Sequence, residues 1–253
     1  LYQKQKISVY ITRDGKYFTT SAVLIKNTIA CRVNSDCQNN QICKVGKCID
    51  RPMQKLDKPK VQLFVFSYCP YGMQFEKSMF SVYDLLKNKA DINIVFIGAM
   101  HGDFEKVESF RQICIEKLYG KDKLWQYINA FDTSSDIGNC NGETECLSPL
   151  IQEIFTVNQI NNSKIETCIN KNAQSIYDSQ NKLAAKLGIA GSPTLVINNM
   201  QLIVDRNPEA IKKAICTGFR KIPAECNQTL STNALTAGFG NSSNNDSEAI
   251  STA

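Results

Sequence analysis

The sequence predicts an α/β fold with a helical segment inserted into one sheet, preceded by a small β and cysteine-rich module. Three observations lead to this fold class. Val61–Phe66 is an almost continuous apolar run, which is typical of a central strand covered on both faces. Ile92–Ile97 is a second such run. Two more β-like runs, Thr194–Ile197 and Gln201–Val204, follow far downstream. Helical patterns fill residues 103–187, between the first two runs and the last two.

The composition favours a globular protein of an oxidising compartment. The chain has 253 residues, 43% of them hydrophobic, and a net charge of +5. Its basic residues are scattered and no apolar run reaches the roughly 18 residues of a membrane span, so we expect neither nucleic-acid binding nor a membrane span. Eleven cysteines, a single histidine and no Cys-x-x-Cys pair predict disulfides, no metal site and no cofactor. We therefore expect a secreted or cell-surface protein. No apolar core of a signal peptide is visible behind Leu1–Lys4, which fits a mature chain whose leader has been removed.

The first sixty residues divide into three short sections. Residues 1–30 hold two β-like runs, Ile7–Ile11 and Tyr17–Leu24, which predict a hairpin-like arm. An isolated hairpin is marginally stable in water, so this arm is expected to pack either on its own chain or on a neighbouring molecule. The second alternative would make the protein self-associate. Residues 31–50 carry four cysteines and too little apolar surface for a core, so two disulfides are expected, with three pairings open. Residues 51–60 are predicted to be a linker.

The main domain is predicted over residues 61–226. Pro70 suits the first turn of a helix that follows the first strand, and its apolar stripe is Phe75, Met79, Val82 and Leu86. The insert shows four helices: one along Phe104–Leu118, one starting at Ser148–Pro149, one capped by Ser163 with Glu166, and one along Ile176–Leu187. Asn207 and Pro208 are expected to cap and start the final helix.

The C-terminal segment is polar. Residues 227–253 are rich in Ser, Thr and Asn with few large apolar side chains, which predicts a flexible tail. Asn-x-Ser/Thr sequons mark candidate glycosylation sites at Asn161, Asn227, Asn241 and Asn245. Chance matches are expected in an Asn-rich chain, although the two sequons at Asn241 and Asn245, far into the tail, suit a glycosylated stalk.

One thiol is placed where chemistry is expected. Cys69 directly follows the first strand and precedes the predicted helix at Pro70. A thiol at a helix N-terminus faces unpaired N–H groups and the positive end of the helix dipole, which favour the thiolate. Because eleven is odd, Cys69 is the expected free cysteine. The disulfide candidates are Cys31, Cys37, Cys43, Cys48, Cys114, Cys140, Cys146, Cys168, Cys216 and Cys226.

Residues 61–226 resemble the DsbA-like thiol-disulfide oxidoreductases of the thioredoxin superfamily. The stretches that carry the resemblance are Ser67–Gly72, Ala99–Gly102, Arg111–Cys114 and Gly191–Thr194. Pro223–Cys226 and Gly238–Gly240 resemble extracytoplasmic archaeal members. The resemblance implies a thioredoxin fold with a helical insertion.

The same resemblance implies roles for individual residues. Cys69 would be the nucleophile, and a cis peptide bond before Pro193 would bring a neighbouring backbone beside the sulfur. The candidate residues for binding an extended peptide or a protein thiol or disulfide are Tyr68, Tyr71, Ser192, Thr194 and His101. Gly72 stands where a resolving cysteine is expected, which predicts monothiol exchange. The substitution Gly72→Cys is then expected to raise dithiol oxidase activity.

Structural alternatives stand beside these roles. Tyr68 and Tyr71 either line a peptide groove or cover the helix start, and His101 either stabilises the thiolate or belongs to a surface loop. Cys114 fits a half-cystine better than a resolving thiol. The alternative function is a non-catalytic, disulfide-linked surface or filament subunit that assembles through its N-terminal arm. The glycine at position 72 and the added cysteine module favour that alternative.

Overall fold

The structure is a computed structural model that describes residues 9–11, 18–19, 31, 33–37 and 41–233. The chain divides into two compact units, Leu1–Pro52 and Met53–Ala253.

The first unit contains two short antiparallel strand pairs, β1 (Tyr10–Ile11) with β2 (Phe18–Thr19), and β3 (Gln41–Lys44) with β4 (Lys47–Asp50). Two disulfides, Cys31–Cys43 and Cys37–Cys48, hold the second pair to the segment in front of it. Among the three pairings that the sequence leaves open, the structure therefore joins the first cysteine to the third and the second to the fourth. The remaining residues of the predicted N-terminal hairpin lie outside the described part of the chain.

The second unit is built on a four-stranded sheet of order β6-β5-β7-β8. Its strands are β5 (Lys60–Val65), β6 (Asp91–Phe96), β7 (Thr194–Ile197) and β8 (Met200–Leu202). Strands β5 and β6 are parallel, whereas β7 is antiparallel to both of its neighbours. A parallel strand–helix–strand unit joined to an antiparallel hairpin and a final helix is the arrangement of the thioredoxin fold. The predicted fold class is confirmed.

Eight α-helices are described, and six of them lie between β6 and β7. They are α1 (Pro70–Leu86), α2 (Asp103–Tyr119), α3 (Lys121–Thr133), α4 (Ser135–Asn139), α5 (Thr144–Val157), α6 (Asn162–Cys168), α7 (Gln174–Lys186) and α8 (Pro208–Cys216). A π-helical turn, Ile169–Ala173, joins α6 to α7 without a break. Disulfides join Cys114 to Cys168, Cys140 to Cys146 and Cys216 to Cys226.

The sheet is covered on both faces, as the apolar run of β5 predicts. Leu63 and Val65 belong to the main core together with α1, whereas Phe64 lies on the opposite face and packs with Val95 and Ala184. All three β5 side chains are fully buried. Because β5 is central, the segment that leaves its C-terminal end enters a tightly packed region, and this is where Cys69 lies.

Two helix starts differ from the prediction. Helix α5 begins at Thr144 rather than at Pro149, which lies inside it. The N–H that the proline lacks would have paired with the carbonyl of Glu145, and that residue is exposed to water. Helix α6 is capped by Asn161, whose side chain accepts a hydrogen bond from Lys164 N, and not by Ser163.

Two segments that their composition predicts to be loose are attached to the second unit. In the predicted linker, Leu56 forms a backbone bridge with Phe219, and its N–H donates to Gly218 O at 2.9 Å. In the predicted tail, Leu230 N donates to Glu209 Oε2 at 2.8 Å. Both segments satisfy backbone groups near the ends of α8, which local composition does not reveal.

Candidate functional site

Cys69 is the free cysteine of the chain, whose eleven cysteines all fall within the described residues. It is the N-cap residue of α1, with Pro70 in the first turn. Its N–H donates to Phe66 O at 3.1 Å, and Met73 N donates to its carbonyl at 2.9 Å. The residue is 5% exposed. The strand end and the helix start therefore fix the backbone of the thiol from both sides.

A cis peptide bond between Ser192 and Pro193 faces this thiol, as the resemblance implies. The Cys69 sulfur lies 3.9 Å from Ser192 O. Ser192 Oγ accepts a hydrogen bond from Phe66 N at 3.1 Å, and Thr194 Oγ1 donates to Gly191 O at 2.7 Å. The loop is thus tied to the end of β5, and the sulfur lies beside a backbone carbonyl that it can donate to.

Gly72 lies under the same loop, where a side chain has no room. A Cβ at this position would lie 2.9 Å from Ser192 Oγ, 3.3 Å from Phe66 O and 3.4 Å from Cys69 Cβ. The last distance is close to the Cβ–Cβ separation of about 3.5–4.5 Å in disulfides. The backbone therefore retains the spacing that a disulfide to Cys69 needs, while the hydroxyl of Ser192 fills the space.

A groove of about 350 Å³ extends from the cis-proline loop. Its walls are formed by Tyr71 and Phe75 of α1, by residues 192–195, and by the segment 201–204 that includes the edge strand β8. Tyr71 is 51% exposed. Arg206 completes the groove, and its guanidinium carbon lies 4.6 Å from the centre of the Tyr71 ring.

The structure divides the two tyrosines between the alternatives that the sequence left open. Tyr71 lines the groove, whereas Tyr68 is buried and its hydroxyl donates to Ile137 O at 2.6 Å and accepts from Gly142 N at 3.2 Å. Burial raises the pKa of Tyr68 above its usual value. Tyr68 therefore belongs to the core, which favours the alternative that it covers the helix start, and its contact with a peptide stays a prediction.

The ring of His101 is directed to a buried carboxylate. Its Nδ1 lies 2.9 Å from Glu105 Oε1, and its side chain is 39% exposed. The ring also makes an edge contact with Phe66, with centroids 6.2 Å apart. These contacts place His101 in the loop after β6, and its stabilisation of the thiolate stays a prediction.

Glu105 is a positioning residue that the sequence reasoning missed. Its carboxylate is fully buried and accepts from the backbone N–H of Tyr68, Met100 and His101. It therefore ties the loop that carries Cys69 to the loop after β6. An acidic residue in the first turn of α2 is expected near any helix N-terminus, so the sequence offers no signal for this tertiary role.

A second group of buried acids lies between α1, α2 and α3. Both carboxylate oxygens of Glu76 and one oxygen of Asp132 have no hydrogen-bond partner among the described residues. Glu108 is paired with Arg111 and accepts from Tyr127 at 3.0 Å. Burial, with a smaller effect from the charge of Glu108, raises the pKa of Glu76 to about 8. Burial likewise raises the pKa of Asp132 well above its usual value.

The other sequence predictions fall in four places. Ser192 and Thr194 line the groove, and all ten disulfide candidates are paired. Asn161 and Asn227 are exposed, whereas Asn241 and Asn245 lie outside the described residues. Across the described part of the chain, no helix combines the length and the apolar character that a bilayer requires.

Comparison with protein families finds a match to the vacuolar sorting receptor thioredoxin-like domain over residues 93–216. Vacuolar-sorting receptor 3 of Arabidopsis thaliana is 27% identical over 148 residues, which is 53% of this chain and 23% of the receptor. Vacuolar-sorting receptor 1 of Pisum sativum is 29% identical over 133 residues, 47% of this chain and 21% of the receptor. The chain thus spans less than a quarter of these relatives.

Among solved structures, the chain is similar to MdbA, a thiol-disulfide oxidoreductase from Actinomyces oris. The two are 14% identical with a TM-score of 0.49, over 65% of this chain and 83% of that chain. The family match and the strand order of the sheet together support a thioredoxin-like domain.

Proposed function

We propose that the protein exchanges disulfide bonds with extended polypeptide segments through Cys69, by monothiol chemistry. One observation carries the proposal: the free cysteine of the chain stands at the start of a 17-residue helix, with its sulfur 3.9 Å from the backbone of a cis-proline loop. That loop borders a groove in which an extended peptide can lie.

The exchange balances without an external oxidant. The Cys69 thiolate attacks a substrate disulfide R–S–S–R′, so the S–S bond of the substrate breaks, a new S–S bond joins Cys69 to R, and R′–S⁻ leaves with the electron pair. Position 72 carries no thiol. A second thiolate from the same substrate or from solution must therefore attack the mixed disulfide and return Cys69 to the thiolate. The net result is a rearrangement of disulfides with no change in oxidation state.

The five disulfides of the chain support an oxidising, extracytoplasmic location. Such a compartment also contains the substrate disulfides that the exchange requires. The closer resemblance to archaeal extracytoplasmic members and the use of the sequons for glycosylation remain predictions.

The test measures covalent capture. The native protein is incubated with a peptide that carries a mixed disulfide to an aromatic thiol, and the adduct is located by mass spectrometry. We expect one adduct, at Cys69, formed faster than with free cysteine and reversed by added thiol. The control variant Cys69→Ser is expected to form none. If the native protein reacts no faster than free cysteine, or if scrambled ribonuclease regains no activity in its presence, the proposal is wrong.

A second candidate is a non-catalytic recognition or assembly module. The position of Ser192 Oγ favours this second candidate. The hydroxyl occupies the space that the side chain of a resolving cysteine at position 72 would need. The family match to a domain of sorting receptors is consistent with recognition without catalysis.

The arm in front of the cysteine module bears on the same candidate. Val9, Tyr10 and Ile11 are more than half exposed, so β1 presents apolar side chains that a neighbouring molecule could cover. If the arm assembles the protein, deletion of residues 1–30 should abolish self-association in sedimentation and leave the melting of the main domain unchanged. A monomeric full-length chain would exclude assembly through this arm.

A further inference from the structure

We propose that Arg206 selects an acidic side chain in the polypeptide segment that occupies the groove. The inference rests on the proposed function only in that the groove receives an extended polypeptide. It adds the chemical class of the segment, which neither the fold nor the thiol determines.

Arg206 is fixed in place before any ligand binds. The residue lies between β8 and α8, and Ser78 Oγ donates to its carbonyl at 3.0 Å. Its Nη1 donates to Gln74 Oε1 at 3.1 Å, and Gln74 is itself buried. The guanidinium lies over the exposed ring of Tyr71 at 4.6 Å from the ring centre. Two contacts from α1 therefore hold the side chain against the groove, which reduces the entropy lost on binding.

The guanidinium has no carboxylate partner among the described residues. Arg111 pairs with Glu108 and Arg220 pairs with Asp57, whereas no Asp or Glu lies within 4.0 Å of Arg206 in the described part of the chain. A guanidinium carries five N–H donors in a planar fork that matches a carboxylate. Stacking on an aromatic ring leaves the edge of this fork free. Arg206 therefore offers donors that the protein itself does not use.

The rest of the groove suits an extended chain. Strand β8 is an edge strand, and an edge presents backbone groups to which another strand can pair. Ile203, which follows β8, has a fully exposed side chain, and Phe75 and Leu202 line the groove. The walls thus combine apolar side chains, uncharged polar side chains such as Gln201 and one charged side chain, Arg206. This pattern favours an extended segment that combines apolar side chains with one acid.

The neighbouring charge limits how many acids the segment can carry. Asp205 is exposed and directly precedes Arg206, so a run of acids would meet a negative charge beside the positive one. Tyr71 lies two residues after Cys69 in the sequence. Because Tyr71, Arg206 and the cis-proline loop line one groove, the selected acid and the substrate cysteine belong to the same extended segment, which advances about 3.3 Å per residue.

The experiment measures non-covalent binding with the variant Cys69→Ser, so that covalent capture does not contribute. The probes are fluorescent decapeptides with acetylated and amidated ends, which removes terminal carboxylates. Each has one serine at the cysteine position and one aspartate moved through the three to four positions on either side. We expect the best aspartate position to bind about tenfold more tightly than the matched asparagine peptide, as a charge-assisted hydrogen bond allows.

Two variants and one control assign this preference. Arg206→Gln is expected to remove the preference for aspartate, and Arg206→Lys is expected to keep part of it because the charge stays while the planar fork is lost. Arg220→Gln changes the net charge by the same amount outside the groove and should leave the preference intact. Circular dichroism melting of each variant verifies the fold.

The outcomes separate this inference from the proposed function. Equal binding of the aspartate and asparagine peptides, or a preference that persists in Arg206→Gln, overturns the role of Arg206 even if Cys69 exchanges disulfides. A preference for aspartate that depends on Arg206 supports the inference even if Cys69 proves unreactive in the native protein. A preference that appears only with free carboxyl-terminal peptides overturns it in favour of terminal carboxylate recognition.

Discussion

Replacing Gly72 by alanine should destabilise this protein, although the same change in an ordinary helix is stabilising. Removing a glycine from a helix interior normally gains about 0.5–1 kcal/mol. Here the new Cβ would lie 2.9 Å from Ser192 Oγ and 3.3 Å from Phe66 O. Such contacts are shorter than van der Waals contact, so the serine hydroxyl has to move.

The magnitude follows from what the hydroxyl leaves behind. Ser192 Oγ accepts from Phe66 N at 3.1 Å, and Phe66 is buried. A buried N–H without a partner costs about 1–3 kcal/mol. With the helix gain subtracted and the middle of each range taken, Gly72→Ala is expected to lower the free energy of unfolding by about 1 kcal/mol.

A double-mutant cycle isolates the contact. Ser192→Ala removes the hydroxyl and its hydrogen bond, so adding Gly72→Ala in that background loses the shortest contact and keeps only the 3.3 Å approach to Phe66 O, and it should be close to neutral. We expect an interaction free energy of about 1–3 kcal/mol between the two sites. Urea unfolding followed by the fluorescence of Trp125, which is buried in the core, measures all four proteins. A Gly72→Ala protein at least as stable as the native chain, or a cycle that closes to zero, would refute the reasoning.

The same contact changes the chemical expectation from the sequence. Gly72→Cys alone places a thiol under a hydroxyl that leaves no room for it, so little disulfide should form between Cys69 and the introduced thiol. In Gly72→Cys combined with Ser192→Ala, the Cβ separation of 3.4 Å from Cys69 permits the bond after a small adjustment. Mass spectrometry after alkylation counts the free thiols. Equal disulfide yields in the single and double variants would show that Ser192 is not the obstacle.

Two further predictions concern the insert and the core. The pKa of Glu76 is about 8 in the folded protein and 4.5 in an ordinary side chain, so the free energy of unfolding should fall by roughly 1 kcal/mol per pH unit between these values. Glu76→Gln should flatten this fall in urea titrations at pH 5, 7 and 9, and an unchanged slope would contradict the prediction. Replacing Cys114 and Cys168 by alanine should lower the free energy of unfolding by about 4 kcal/mol, because their disulfide joins residues 54 positions apart. Replacing Cys140 and Cys146, which are six positions apart, should lower it by about 2 kcal/mol. The reverse order of stability in calorimetry would contradict the loop-entropy explanation.

Much of the fold is determined by local patterns. The apolar run of β5 requires cover on both faces, and Phe64 and Leu63 do pack on opposite sides of the sheet. Asn207 caps α8 through a hydrogen bond from Ala210 N at 2.8 Å, because capping depends only on residues three apart. Such features are predictable since the groups that interact are neighbours in sequence.

The attachments that local patterns do not reveal depend on groups far apart in the chain. The predicted linker is attached through Leu56 to Phe219, and the start of the tail is attached through Leu230 to Glu209. No composition rule distinguishes these segments from free ones, because each is held by hydrogen bonds from its backbone to residues more than twenty positions away. The contact partner has to be known before the segment can be assigned.

For the candidate site, the sequence by itself determined that one thiol begins a helix and that position 72 has no second thiol, while the family resemblance implied that Pro193 lies near that thiol. Only the tertiary structure decided that Tyr68 is core while Tyr71 is groove, that Glu105 ties two loops together, and that Ser192 fills the space above Gly72. The physical reason is the separation in sequence between the groups that interact. Cys69 and its helix are adjacent in sequence, whereas Ser192 reaches Phe66 across 126 residues.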